Sequence, residues 1–167
     1  MDYSLSSINQ LDQVTFVAVL GHLFENTPEI AALTWPQRPF HSKAALHSAM
    51  VDTVRSLPHG QQLNLIRAHP DLGSTAKMAI ASVQEQTSAG LDQLTPAEFD
   101  TIKQLNQAYW QRFEFPFIIA VKHHTKDSIL TALRQRLQNS PAVEQATALD
   151  QIFEIARLRL ERVVTAP

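Results

Sequence analysis

Phe113-Glu114-Phe115-Pro116-Phe117-Ile118-Ile119-Ala120-Val121 is the one run in this chain that would pass for a β-strand. Its aromatic and β-branched residues suit a strand. A strand needs a partner, however, and apolar/polar alternation is nearly absent elsewhere in the sequence. The run therefore reads as a buried connection in an all-helical protein, with backbone N–H and C=O groups that must find partners outside a ladder. Extended backbone among helices is a candidate ligand-binding edge.

Outward from this run the chain reads as helices with short, well-signalled breaks. On its N-terminal side a long helix covers residues 95–113, with Thr95 as N-cap, Pro96 at the first helical position and Glu98 placed for a capping box. It carries Phe99, Ile102, Leu105, Asn106, Tyr109 and Trp110. On the C-terminal side Thr125 caps a helix to about Leu137, and Ser140-Pro141 opens the last and longest helix, to about Val163. Toward the N-terminus Asp12 caps a helix that puts Phe16, Val19, Leu20 and Leu23 on one stripe and stops near Asn26. Thr27-Pro28 repeats the cap-then-proline signal. Residues 33–40 contain two prolines and read as a loop, and Ser42 caps a helix with Leu46, Met50 and Val54 on its apolar side. A short helix over residues 61–68 and another over 78–88, ended by Ala89-Gly90, complete the set. The expectation is an all-α, single compact multi-helix domain over residues 1–167, with about seven to nine helices and short loops.

Composition narrows the function. With 44% hydrophobic residues in 167, the chain can bury a substantial core. Fourteen basic against sixteen acidic residues leave a formal charge of −2, and no basic run exceeds two, so neither nucleic acid nor a membrane surface is an expected partner. The expected partner is small or proteinaceous. The absence of cysteine excludes disulfides, thiolate catalysis and thiolate metal sites. Met1-Asp2-Tyr3-Ser4 lacks the layout of a signal peptide, no apolar run approaches a membrane span, and the terminal residues are no peroxisomal address, so a cytoplasmic protein is expected.

The chemistry-bearing residues gather around Arg67-Ala68-His69-Pro70-Asp71-Leu72-Gly73. Pro70 biases His69 away from helical geometry, which leaves the imidazole at a helix-to-loop corner. Ser82, Glu85 and Gln86 stand at i, i+3 and i+4, so one helical face carries a hydroxyl, a carboxylate and an amide. A histidine beside that face could do acid/base work, although each residue alone also has an ordinary structural reading as a helix end or a solvated position. Arg159 sits between Leu158 and Leu160, and an arginine in an apolar helical region needs an anionic or carbonyl partner. A substrate carboxylate would serve. The other six histidines form no His-x-x-x-His or His-Glu-x-x-His spacing, and there is no phosphate-binding glycine loop and no Gly-x-Ser-x-Gly elbow. No metal and no cofactor are expected.

Several blocks in fixed order make the chain similar to a known family: Glu25-Asn26-Thr27-Pro28, Arg38-Pro39-Phe40, Ala68-His69-Pro70-Asp71-Leu72, Ser82-x-x-Glu85-Gln86-x-x-Ala89-Gly90-Leu91, Leu105-Asn106-x-x-Tyr109, Phe113-x-Phe115-Pro116-Phe117-Ile118 and Leu158-Arg159-Leu160. Together they resemble the 2-oxo-4-hydroxy-4-carboxy-5-ureidoimidazoline (OHCU) decarboxylases. The resemblance implies an all-helical, cofactor-independent homodimer of urate breakdown that forms (S)-allantoin. It assigns His69 and Glu85 to catalysis, and Pro70, Ser82, Gln86, Arg159 and the backbone at Phe117, Ile118, Ile119 and Ala120 to substrate binding. The chain departs from the family pattern at Glu29, usually tryptophan, at Glu114, usually glycine, and at His123 or His124, where glycine is usual.

An alternative from another class is a chaperone-binding module. His69-Pro70-Asp71 between helices is also the signature of J-domain co-chaperones. The helix before that motif is normally strongly basic, whereas residues 42–67 hold only Lys43, Arg55 and Arg67.

Overall fold

The structure is a computed structural model and describes residues 2–72, 85, 87 and 90–165. Eight α-helices stand among the described residues: α1 (Leu5–Gln10), α2 (Gln13–Leu20), α3 (Glu29–Thr34), α4 (Lys43–Arg55), α5 (His59–Arg67), α6 (Pro96–Phe113), α7 (Lys126–Arg136) and α8 (Pro141–Val163). The described residues contain no strand, and their one β-bridge pairs Tyr3 with Val164. The all-α expectation holds. The chain divides into two compact units, Met1–Leu65 with Phe153–Pro167, and Ile66–Ile152, so the boundaries fall inside α5 and α8.

In the first unit the expected caps at Asp12 and Ser42 form. Asp12 accepts from the Thr15 N–H at 2.8 Å, and Ser42 accepts from the Ala45 N–H at 3.0 Å. Each satisfies a donor that the first turn would leave orphaned. The helix after Asp12 ends sooner than its apolar stripe suggests, at Leu20, and passes into a 3₁₀ turn, Gly21–Leu23. A Cβ at Gly21 would stand 3.1 Å from the Pro28 Cβ, so a side chain here would press on Pro28. Thr27 does not cap α3. With Asn26 turned to φ 47°, the Thr27 hydroxyl donates back to the Glu25 carbonyl at 2.8 Å instead. Residues 33–40 are not wholly loop: they hold the end of α3 and a 3₁₀ turn, Trp35–Gln37. Arg38 stacks on the Trp35 ring and donates to the carbonyls of Asn9 and Leu11, while Asn9 exchanges two hydrogen bonds with the Phe40 backbone. The Arg38-Pro39-Phe40 block thus ties the α1–α2 corner to the entrance of α4. Phe16, Leu20, Ile30, Leu46, Met50 and Val54 are fully buried in this unit's core.

In the second unit α6 begins with the expected capping box. The Glu98 N–H donates to Thr95 at 3.2 Å, and the Glu98 carboxylate accepts from the Thr95 N–H at 2.9 Å. Lys126, at the start of α7, reaches the same carboxylate at 3.1 Å. Thr125 caps α7 with a second box through Ser128. Gly90 takes φ +78°, the left-handed conformation expected of a residue that ends a helix. Most of the helix expected over residues 78–88 lies outside the described residues, within which Glu85 and Thr87 are helical.

Candidate active site

His69 is placed by the end of α5. The helix closes at Arg67, the His69 N–H still bonds the Ile66 carbonyl at 3.2 Å, and Pro70 turns the chain away. Both flanks of this corner are tied to α6 or its cap. Arg67 Nε donates to the Glu114 carbonyl at 3.0 Å, Trp110 Nε1 to Asp71 Oδ1 at 2.7 Å, and Asn106 Nδ2 to the Leu72 carbonyl at 3.1 Å. His69 is only 8% exposed. A polar ring that deep is held by partners rather than by water, and His69 is among the residues with them.

The run from Phe113 to Val121 is a buried connection, as expected. Glu114 ends α6 in the left-handed conformation, φ 61° and ψ 26°, and the next residues run irregularly to a 3₁₀ turn, Val121–His123. Phe115, Phe117, Ile118, Ile119 and Ala120 are all buried. Tyr109 anchors the aromatic part, its ring centroid 4.6 Å from that of Phe113, 5.9 Å from Phe115 and 5.4 Å from Phe117.

Beneath this segment lies a polar cluster that residue-by-residue reading did not anticipate. Glu144 is fully buried and accepts from Tyr109 Oη at 2.6 Å, Arg136 Nε at 2.6 Å and Asn139 Nδ2 at 3.0 Å. Burial and then the Glu144 carboxylate raise the Tyr109 pKa, so its hydroxyl remains a donor. Arg136 Nη2 stands 2.5 Å from Glu144 Oε1 but without hydrogen-bond geometry, so that contact is electrostatic. Arg136 also lies over the Phe117 ring, 4.3 Å from its centroid, and Nη1 donates to the Ile118 carbonyl at 2.5 Å. Gln151 Oε1 accepts the Ala120 N–H at 2.9 Å. Tyr109 lies 35 positions before Glu144, whereas Arg136 and Glu144 are only eight apart. The one local hint was an arginine and a glutamate flanking a helix start.

The remaining expected site residues are distributed as follows. Pro70 follows His69 at the corner; Glu85 is helical and half-buried; Ser82 and Gln86 lie outside the described residues. Arg159 belongs to the first unit and is 3% exposed. The partner its surroundings demand is supplied by the chain: Glu25 Oε2 accepts from both Nη1 and Nη2 at 3.1 Å, and the His22 and Leu23 carbonyls lie at 3.4 and 3.5 Å from Nη1. Glu25 was missed as a buried group because no spacing links it to a residue 134 positions away. Among the described residues no three of His, Asp or Glu group as metal ligands would, and no helix is long and apolar enough to cross a membrane.

Chemically, the second unit thus presents a recessed imidazole on a braced corner and a buried, non-helical backbone segment. An imidazole can move a proton, and irregular backbone can offer a donor and an acceptor to a planar polar molecule. The family model described as OHCU decarboxylase matches residues 9–161. The 2-oxo-4-hydroxy-4-carboxy-5-ureidoimidazoline decarboxylase of Halalkalicoccus jeotgali is 42% identical over 160 residues, covering 96% of this chain and 91% of that protein. The protein of the same name from Haloferax volcanii is 42% identical over 159 residues, 95% of each chain. The uric acid degradation bifunctional protein PucL of Bacillus subtilis is 40% identical over 98% of this chain, which spans 33% of that longer protein. Among solved structures, an (S)-allantoin synthase matches with a TM-score of 0.77 and 28% identity, over 97% of this chain and 54% of that one. An OHCU decarboxylase crystallised in the presence of (S)-allantoin shares the fold, with a TM-score of 0.70 and 22% identity over 91% of this chain and 97% of that one. With matches that run through nearly the whole sequence, the chain belongs to the OHCU decarboxylase family.

Proposed function

We propose that this protein decarboxylates OHCU to (S)-allantoin in urate breakdown, without a metal or organic cofactor, and that His69 is its principal general acid/base. Family membership supports the substrate. The observation that carries the role of His69 is its seat: an imidazole 8% exposed, on a corner braced by Arg67, Trp110 and Asn106. A proton-transfer group needs that fixity, since a loosely held imidazole loses the orientation on which its rate contribution depends.

The substrate explains why so little machinery is required. Its carboxylate and hydroxyl share one ring carbon, next to a carbon double-bonded to nitrogen. The bond to the carboxylate breaks, carbon dioxide leaves, and the electron pair forms a new carbon–carbon double bond as the imine π-electrons move onto nitrogen, which takes a proton. The hydroxyl then loses its proton to become a carbonyl, and the neighbouring carbon is protonated on one face. His69 is assigned proton transfer, and Glu85 either orients its tautomer or binds the ureido group. Pro70, Ser82, Gln86 and the backbone at Phe117, Ile118, Ile119 and Ala120 are assigned to the ring and its carbonyls. Arg159, whose guanidinium already engages Glu25, is assigned to the carboxylate on the family resemblance alone. The same reading makes the protein a cytoplasmic homodimer and residues 1–167 one domain of this family, for which a match running from residue 9 to 161 is the support. The chaperone-docking alternative would want His69-Pro70-Asp71 on display. A recessed His69 and an Asp71 engaged by Trp110 favour the enzyme.

The test is to generate OHCU in situ from urate and follow the circular dichroism of allantoin. One optical isomer should appear rapidly only with the protein present. His69→Asn should lower the rate by about 10² to 10⁴. Racemic product at the spontaneous rate would refute the activity, and near-normal turnover by His69→Asn would refute the role of the histidine.

A further inference from the structure

Ile118 and Ala120 flank Ile119, and both are held from within the second unit. Arg136 Nη1 takes the Ile118 carbonyl and Gln151 Oε1 takes the Ala120 N–H. In a trans peptide the C=O and N–H point in opposite directions. The Ile119 N–H therefore points away from the Ile118 carbonyl, and the Ile119 C=O points away from the Ala120 N–H. With those two groups engaged, the Ile119 N–H is directed away from Arg136 and the Ile119 C=O away from Gln151. Among the described residues neither group has a hydrogen-bond partner, although Ile119 is only 6% exposed. Buried backbone groups are rarely left so, because each unsatisfied one is costly.

We infer that Arg136 and Gln151 are positioning residues that lock Ile119 so that its N–H and C=O present one donor beside one acceptor to the H–N–C=O edge of a urea or cyclic amide. This deepens the proposed activity and rests on it, since the substrate carries both a ureido group and a ring amide. Neither side chain touches substrate. Arg136 is itself aimed by Glu144, which Tyr109 and Asn139 hold in turn. The Phe117 ring under the guanidinium closes the other side. The device is a backbone recognition edge set from behind by two side chains on two helices, α7 and α8.

The experiment compares wild type with Gln151→Leu, Gln151→Glu and Arg136→Lys by steady-state decarboxylation rates and by hydrogen exchange at the Ala120 amide. Gln151→Leu should fold, raise KM about tenfold with a smaller effect on kcat, and speed exchange at Ala120, as expected for loss of one orienting hydrogen bond. Gln151→Glu keeps an acceptor and should restore both readouts. Arg136→Lys keeps a charge for Glu144 but loses the hold on the Ile118 carbonyl, and should raise KM as well; it decides the matter if Gln151→Leu does not fold. A wild-type KM in Gln151→Leu, or equal impairment in Gln151→Glu, would overturn the inference while leaving the activity standing. An inactive wild-type protein would overturn the activity itself, which the wild type reports alone.

Discussion

Arg159 and Glu25 show what a single buried charge demands. Each is at most 3% exposed, and each neutralises the other across 3.1 Å in the first unit. Two ions taken from water are costly to bury, so removal of one leaves a charge with no compensation. Glu25→Leu should therefore destabilise the protein by about 3 to 5 kcal/mol, measured by urea unfolding. A loss under about 1 kcal/mol would mean that the pair is solvated and that Arg159 relies on its carbonyl neighbours instead. The same reasoning underlies both readings of Arg159, toward Glu25 and toward a substrate carboxylate. Its apolar flanks made a partner legible in the sequence; which partner was not, because an intramolecular carboxylate and a substrate carboxylate make the same electrostatic offer.

Helix α6 is the element on which the second unit's proposed chemistry hangs. Its start was readable to the residue, since a capping box is a local pattern of four positions. Its end was not. Glu114 adopts φ 61°, where glycine is at ease and an L-residue is strained, which accounts for the glycine usual in the family at this place. Glu114→Gly should raise stability by up to about 1 kcal/mol, the relief of left-handed strain exceeding the extra entropy of glycine in the unfolded chain. Thermal unfolding checks this, and a lower midpoint would show that the Glu114 side chain earns its place through contacts of its own. Because Arg67 binds the Glu114 carbonyl, the variant keeps the tie to the His69 corner. The connection after α6 was recognised as buried from composition alone. Its orientation depended on Arg136 and Gln151, 18 and 31 positions from the groups they hold.

At the scale of the whole molecule, acid should act in two stages. Loss of water around the imidazole, and then the Arg159 guanidinium, hold the pKa of His22 below its ordinary 6.5. The unfolded chain thus binds a proton that the folded chain resists, so stability falls as pH drops below about 6.5 and the loss is complete below the folded-state pKa. The effect is modest because His22 keeps exposed surface. Asp12 and Glu98 have pKa values lowered chiefly by the backbone N–H groups they cap. Their stabilisation is present above the unfolded carboxylate range and is lost only as pH falls through the depressed values. His22→Gln should flatten the first stage, which begins as pH falls below about 6.5, and leave the second unchanged in a pH series of unfolding midpoints. An unchanged first stage would assign it to another group. The residues alone were enough for the all-α class, for the caps at Asp12, Ser42, Thr95 and Thr125, and for a histidine at a helix corner, because these follow from patterns a few positions long. Only the tertiary structure could decide that Glu25 answers Arg159 and that Tyr109 and Gln151 reach Glu144 and the Ala120 backbone. Those choices depend on which desolvated groups are brought within hydrogen-bond reach of one another, and no local pattern carries that distance.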